Sequence, residues 1–149
     1  MEPTRLWINL KYSWLACSPD GLIKDNEGDG VLEIKWIANK KFRNESVLKY
    51  VKESKTGCLN IKDNGELELK KNHNYYFQIQ GQLFVTQRKF CDFAIFTEND
   101  QFIQRIYYDK SFFYEKCYTK LKQFYFLSYL PEYILRNHRK KKDILDFTP

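Results

Sequence analysis

Ser18-Pro19-Asp20-Gly21-Leu22-Ile23-Lys24-Asp25-Asn26-Glu27-Gly28-Asp29-Gly30-Val31-Leu32-Glu33-Ile34-Lys35-Trp36 is the stretch on which the fold turns. Gly21-Leu22-Ile23 reads as a strand, Asn26 to Gly30 as turn chemistry, and Val31 to Trp36 as a strand of alternating apolar and polar residues. The pair is hairpin-like and brings Asp20 towards Glu33. On a strand, residues i and i+2 share a face, so Glu33 and Lys35 point the same way.

Outward from that pair, Leu6 to Leu15 reads as a further extended segment. Lys40 to Lys55 reads as a lysine-rich helical patch. Cys58–Lys62 and Glu66–Lys70 flank Asp63-Asn64-Gly65, and Asn-Gly between alternating runs signals a hairpin. Asn72 to Thr86 predicts a helix, weakened at Gly81 by roughly 1 kcal/mol relative to alanine. Two strands follow, Cys91 to Thr97 and Phe102 to Tyr108, then a long helix over Ser111 to Leu130. The order β-β-β, short helix and hairpin, α, β-β, α predicts an α/β fold with a mixed central sheet flanked by helices.

The chain has 149 residues, 43% hydrophobic and 17% aromatic, which suits one folded domain spanning 1–149 and argues against disorder. A net charge of +6 suits a polyanionic partner. No apolar run is long enough for a membrane span, and no basic stretch followed by an apolar core opens the chain, so neither a membrane partner nor a leader is expected. Cys17, Cys58, Cys91 and Cys117 are far apart and follow no zinc spacing. They read as free thiols of an intracellular, reducing compartment.

An isolated Glu-x-Lys is ordinarily a surface ion pair. Asp20 just upstream changes its meaning. Two carboxylates and a backbone carbonyl converging on one point make an all-oxygen site suited to Mg²⁺. A lysine beside such a metal can hold or deprotonate an attacking water, and the metal neutralises charge growing on a phosphate. In the helix, Tyr75, Gln78 and Gln82 stand at i, i+3 and i+7 and share a face, while Gln80 points away. That face reads either as the polar side of an amphipathic helix or as a wall of the metal site.

Trp14 to Ile23, Gly30-Val31-Leu32-Glu33-Ile34-Lys35 and Tyr75-Tyr76-Phe77-Gln78-Ile79-Gln80-Gly81-Gln82-Leu83 together resemble the YqaJ viral recombinase family, which includes lambda-type alkaline exonucleases of the PD-(D/E)XK class. The resemblance runs from about Leu6 to Phe96. It implies a restriction-endonuclease-like fold and Mg²⁺-dependent exonucleolytic degradation of double-stranded DNA, with Mn²⁺ as a substitute metal. By that resemblance Asp20, Glu33 and the Ile34 carbonyl would be metal ligands and Lys35 the catalytic lysine. Tyr75 and Gln78 would stand beside them, and Ser18 and Gly21 would shape the turn presenting Asp20. A single-strand annealing recombinase is the implied partner.

Two departures stand out. Family members carry an N-terminal helical region with a further acidic residue before Ser18-Pro19-Asp20-Gly21; only 17 residues precede Ser18 here, so that region is expected to be missing. Trp36-Ile37 stands where the family often has Cys-Pro. The alternative reading is therefore a degenerate nuclease that binds DNA without cutting it.

Beyond the motifs, Lys40, Lys41 and Arg43 are candidate phosphate contacts, or else a solvated charge run. The basic tail from about Arg136, with its Arg139–Lys142 run, reads as a solvated end, a DNA-binding tail or a nuclear address. The aromatics of the last helix surround it and read as core packing, with any exposed part favouring a homo-oligomer.

Overall fold

The computed structural model describes residues 5–54 and 57–145, with side chains to residue 137. The opening of the chain and the side chains of the Arg139–Lys142 run lie outside the described residues. The chain divides into two compact units, Met1–Asp109 and Lys110–Pro149.

The first unit is built on a four-stranded mixed sheet. Its strands are β3 (Gly21–Asp25), β4 (Gly28–Trp36), β7 (Phe90–Phe96) and β8 (Gln101–Tyr107), in that order across the sheet. β3 pairs antiparallel with β4, β4 parallel with β7, and β7 antiparallel with β8. The expected α/β class with a mixed sheet is what the chain forms.

The β3–β4 turn is tighter than the run from Asn26 to Gly30 suggests. It needs only Asn26 and Glu27, because Asp25 Oδ1 accepts the Glu27 N–H at 2.9 Å and Gly28 takes φ +124°. Parallel pairing of β4 with β7 needs a crossover. That crossover carries α1 (Val47–Glu53), the hairpin β5 (Leu59–Ile61) and β6 (Leu67–Leu69), and α2 (Asn74–Thr86). Gly65 at φ +84° turns the hairpin, as Asn64-Gly65 predicts. Helix α2 packs on β4 and β7 and buries Ile79, Leu83, Phe84 and Val85. With Val31, Phe90, Phe93 and Ile95 these form the core.

Three expectations are corrected. The segment Leu6–Leu15 is not one strand: β1 (Trp7–Ile8) pairs with β2 (Ala16–Cys17) in a separate two-stranded ribbon. The Lys40–Lys55 patch is helical only from Val47. Asn39 captures the Lys41, Phe42 and Arg43 N–H groups in turns, and Ser46 caps the helix by accepting the Lys49 N–H.

The last helix does not stop at Leu130. In the second unit, α3 (Lys110–Phe112), a π-helical stretch Phe113–Tyr118, α4 (Thr119–Phe124), a second π stretch Tyr125–Tyr129 and α5 (Leu130–Leu145) run on without a break. The wide turn ahead of Pro131 accommodates a ring that would otherwise clash one turn back. Of its aromatics, Phe113 is buried as core packing expects, whereas Phe124, Tyr129 and Tyr133 are exposed. Among the described residues no helix is long and apolar enough to cross a membrane.

Candidate active site

Glu33 and Lys35 lie on the face of β4 that meets α2. Glu33 is 2% exposed, a burial a carboxylate tolerates only with partners. It has three. Lys35 Nζ donates to its Oε1, Gln78 Nε2 donates to the same oxygen at 2.8 Å, and Gln82 Nε2 donates to Oε2 at 2.6 Å. Gln78 and Gln82 reach one carboxylate because they sit one turn apart on α2. Gln80, on the opposite side, donates to the Tyr107 carbonyl and accepts the Asp109 N–H.

Tyr75 completes this wall. Lys35 Nζ stands 4.7 Å from its ring centroid, within cation–π range. The ring packs against Phe93 at 5.9 Å and against His73, whose Nδ1 caps α2 by accepting the Tyr75 N–H. Partial burial first, then the Lys70 charge, hold the His73 imidazole below its usual range.

Asp20 occupies the neighbouring edge of β4. The β3–β4 ladder ends at Gly21 opposite Leu32. Asp20 extends it by one backbone bond, N–H to the Leu32 carbonyl at 3.0 Å. Its Oδ2 then accepts the Ile34 N–H at 2.7 Å, standing in for the strand that has ended. The N–H and C=O of a strand residue leave by the same edge, so the Ile34 carbonyl is directed to Asp20's side. Pro19 is buried beneath this turn, while Ser18 and Asp20 are exposed.

Both carboxylates are felt by neighbouring thiols. Burial first, and the Glu33 charge second, push the Cys17 thiol up to about 11. Cys91 on β7 is pushed up by burial, then by Glu33 and Asp92, and more weakly by Asp20.

The structure thus joins Glu33, Lys35, Tyr75 and Gln78 in one network and ties Asp20 to Ile34. Lys40, Lys41 and Arg43 stand outside that network. Lys41 pairs with Glu53 at 2.9 Å and Arg43 with Glu98 at 3.2 Å, while Lys40 is exposed. Gln82 was not among the candidate site residues, although its spacing from Gln78 carried the signal. It is buried, and its Oε1 has no partner among the described residues. Among those residues no three His, Cys, Asp or Glu side chains group as metal ligands. Two carboxylates and a carbonyl still fit a hard dication such as Mg²⁺, which takes one or two carboxylates and keeps several waters.

A family profile described as the YqaJ-like viral recombinase domain matches residues 1–89. Among solved structures, an alkaline exonuclease from Laribacter hongkongensis is similar, with a TM-score of 0.59 and 23% sequence identity. The similarity covers 96% of this chain and 63% of that one, so the chain spans less than two thirds of its structural neighbour. No curated protein matches.

Proposed function

The chain belongs to the YqaJ-like viral recombinase domain family, and from that premise we propose that it is a Mg²⁺-dependent exonuclease of double-stranded DNA. One observation carries the reading: a buried carboxylate, Glu33, is held by Lys35 and two glutamines on the strand whose edge Asp20 caps at the Ile34 N–H. A merely structural ion pair between Glu33 and Lys35 would not need two glutamines as well.

In this reading Asp20, Glu33 and the Ile34 carbonyl hold the metal, with Mn²⁺ as a substitute. The metal supplies Lewis acidity, lowering the pKa of bound water and offsetting phosphate charge. The rest falls to the protein. Hydrolysis adds one water oxygen to phosphorus and breaks one P–O ester bond, the water's protons passing to solvent and to the departing oxygen. Lys35, fixed between Glu33 and the Tyr75 ring, orients that water or a phosphate oxygen. Gln78 keeps Glu33 Oε1 in place without adding charge. Lys40, alone of the three basic candidates in having no ion pair among the described residues, is the readiest phosphate contact; Lys41 and Arg43 would have to leave Glu53 and Glu98. The same reading assigns an annealing recombinase as partner, a homo-oligomeric state, and an intracellular reducing compartment, with nuclear entry through the basic tail.

The experiment is cleavage of linear duplex DNA by the purified chain with Mg²⁺, beside a Glu33→Ala control. Turnover that disappears in EDTA and in the control is expected. Salt-dependent DNA binding that survives Glu33→Ala, with no turnover in the wild type across metals and salts, would replace this reading with that of a degenerate DNA-binding module.

A further inference from the structure

Glu33 has two oxygens, and its partners divide between them unequally. Oε1 accepts from Lys35 Nζ and from Gln78 Nε2, a donor for each of its two lone pairs. Oε2 accepts from Gln82 Nε2, its one donor among the described residues. The surroundings differ as well. Gln78 is exposed and Lys35 partly so, whereas Gln82 is buried. A small dication that keeps several waters can reach Glu33 only from the Oε1 side. Oε2 faces inward, where β2 packs on α2. There Thr86 Oγ1 and Cys17 Sγ both donate to the Gln82 carbonyl, at 2.8 and 4.0 Å, and so fix the backbone from which Gln82 reaches.

The amide that does this is not itself fully satisfied. Gln82 Oε1 is buried and has no partner among the described residues. Turning the amide over would not relieve it, because Oε1 would then stand against Glu33 Oε2, acceptor against acceptor. An unpaired buried acceptor calls for a compensating role. Packing does not supply one, since a methionine would fill nearly the same space with no acceptor to satisfy. What the amide adds is its hold on one chosen oxygen of Glu33.

We propose that Gln82 is a positioning residue that divides the work of Glu33 between its two oxygens. Gln82 keeps Oε2 permanently, so Oε1 is the oxygen given to the metal, and only the donors on Oε1 exchange when the ion arrives. The proposal rests on the nuclease reading of this site. Lys35, released from Oε1 by like-charge repulsion, is then free to orient water, while Gln82 stops the carboxylate from turning after it.

The test is a titration of the isotope-labelled whole chain with Mg²⁺ alone, without DNA, following the side-chain amide resonances of Gln78 and Gln82 assigned from through-bond correlations. The Gln78 resonance should move, because its acceptor becomes a metal ligand, and the Gln82 resonance should stay near its metal-free position. The reverse, or both moving together, overturns the proposal, and this reading needs no variant to fold. Calorimetry with the same ion gives a second one. Gln82→Met should bind Mg²⁺ about 10–100-fold more weakly, the usual effect of removing a partner that orients a metal ligand, and Gln78→Met should lose less. Melting curves show whether both variants are folded. Equal losses in the two, or none in Gln82→Met, overturn the proposal and leave the metal site standing. No saturable effect of Mg²⁺ on the wild type removes the metal site and the proposal with it.

Discussion

Gln82 Nε2 lies 2.6 Å from Glu33 Oε2, and both side chains are 2% exposed. Water can replace neither partner. Gln82→Ala should therefore leave a buried carboxylate oxygen unpaired and cost about 1–3 kcal/mol of stability. Gln78→Ala should cost less, because Gln78 is exposed, so that its removal lets solvent in, and Glu33 Oε1 keeps Lys35 as a donor. Urea unfolding of the two variants checks this, and an equal loss in both would show that Gln82 has no special hold on Glu33.

Lys35 is tied at its ammonium by Glu33 Oε1 and by the Tyr75 ring. If it orients the attacking water, Lys35→Met should lower single-turnover cleavage by about 10²–10⁴-fold while DNA affinity at low salt stays near wild type. Lys35→Arg should not restore the rate, since a planar fork cannot occupy the place of a point-charge ammonium. Full activity in the arginine variant would mean that the position supplies charge alone.

Asp20 both caps the Ile34 N–H and offers its carboxylate to a metal. Asp20→Asn separates the two roles, because an amide oxygen can still accept that N–H. The variant should melt close to wild type yet need a much higher Mg²⁺ concentration for half-maximal cleavage. Titrating Mg²⁺ after EDTA treatment measures the difference. An unchanged requirement would remove Asp20 from the ligand set.

The parts of this site that could be read in the sequence are those fixed by local periodicity. Alternation in Val31–Trp36 put Glu33 and Lys35 on one face. The Asn26–Gly30 turn paired their strand with β3, and the seven-residue spacing of Tyr75 and Gln82 defined a wall of α2. Other features depend on which donors a turn captures. Nothing in Lys40–Glu45 shows that Asn39 will take three successive N–H groups and delay α1 to Val47. A cleft lined by Lys35, Asn39, Tyr50 and Ser54 was equally illegible, because these residues come to one cavity only once that helix is short and the β4–β7 register is set. In the second unit, proline chemistry alone argues for a stop near Leu130. A π turn before Pro131 lets the helix continue.

Gly30 sits in β4 against the ring of Phe90, its partner in the parallel register. A Cβ there would overlap the Phe90 ring, which is itself fully buried and hemmed by the Tyr107 ring at 6.4 Å. Gly30→Ala should cost about 1–3 kcal/mol through overpacking. Phe90→Leu in the same chain should recover part of that loss, as the double-mutant cycle would show by thermal unfolding.

On the face of the sheet opposite α2, Arg105 binds Asp92 through two 2.8 Å bonds, Asp25 at 2.8 Å and Glu27 at 3.0 Å. Its guanidinium lies 3.7 Å from the Phe90 ring centroid. Desolvation works to raise the Asp25 carboxyl, but the Arg105 hydrogen bond and charge, with the Glu27 and Gly28 backbone, overcome it and hold the carboxyl below its usual value. A carboxyl depressed in the folded state binds its proton less readily there than in the unfolded chain. Its contribution is therefore complete above the unfolded pKa of about 3.9 and is lost as pH falls through the folded value. Arg105→Gln should be less stable than wild type at neutral pH, and the gap should narrow as pH falls below about 4. Asp25→Asn, which removes the titrating group, should shrink the pH-dependent part and leave the stacking of Arg105 on Phe90 intact. Melting curves of the three proteins from neutral to acid pH test this, and a gap between wild type and Arg105→Gln that stays constant on acidification would show that the arginine acts through packing alone.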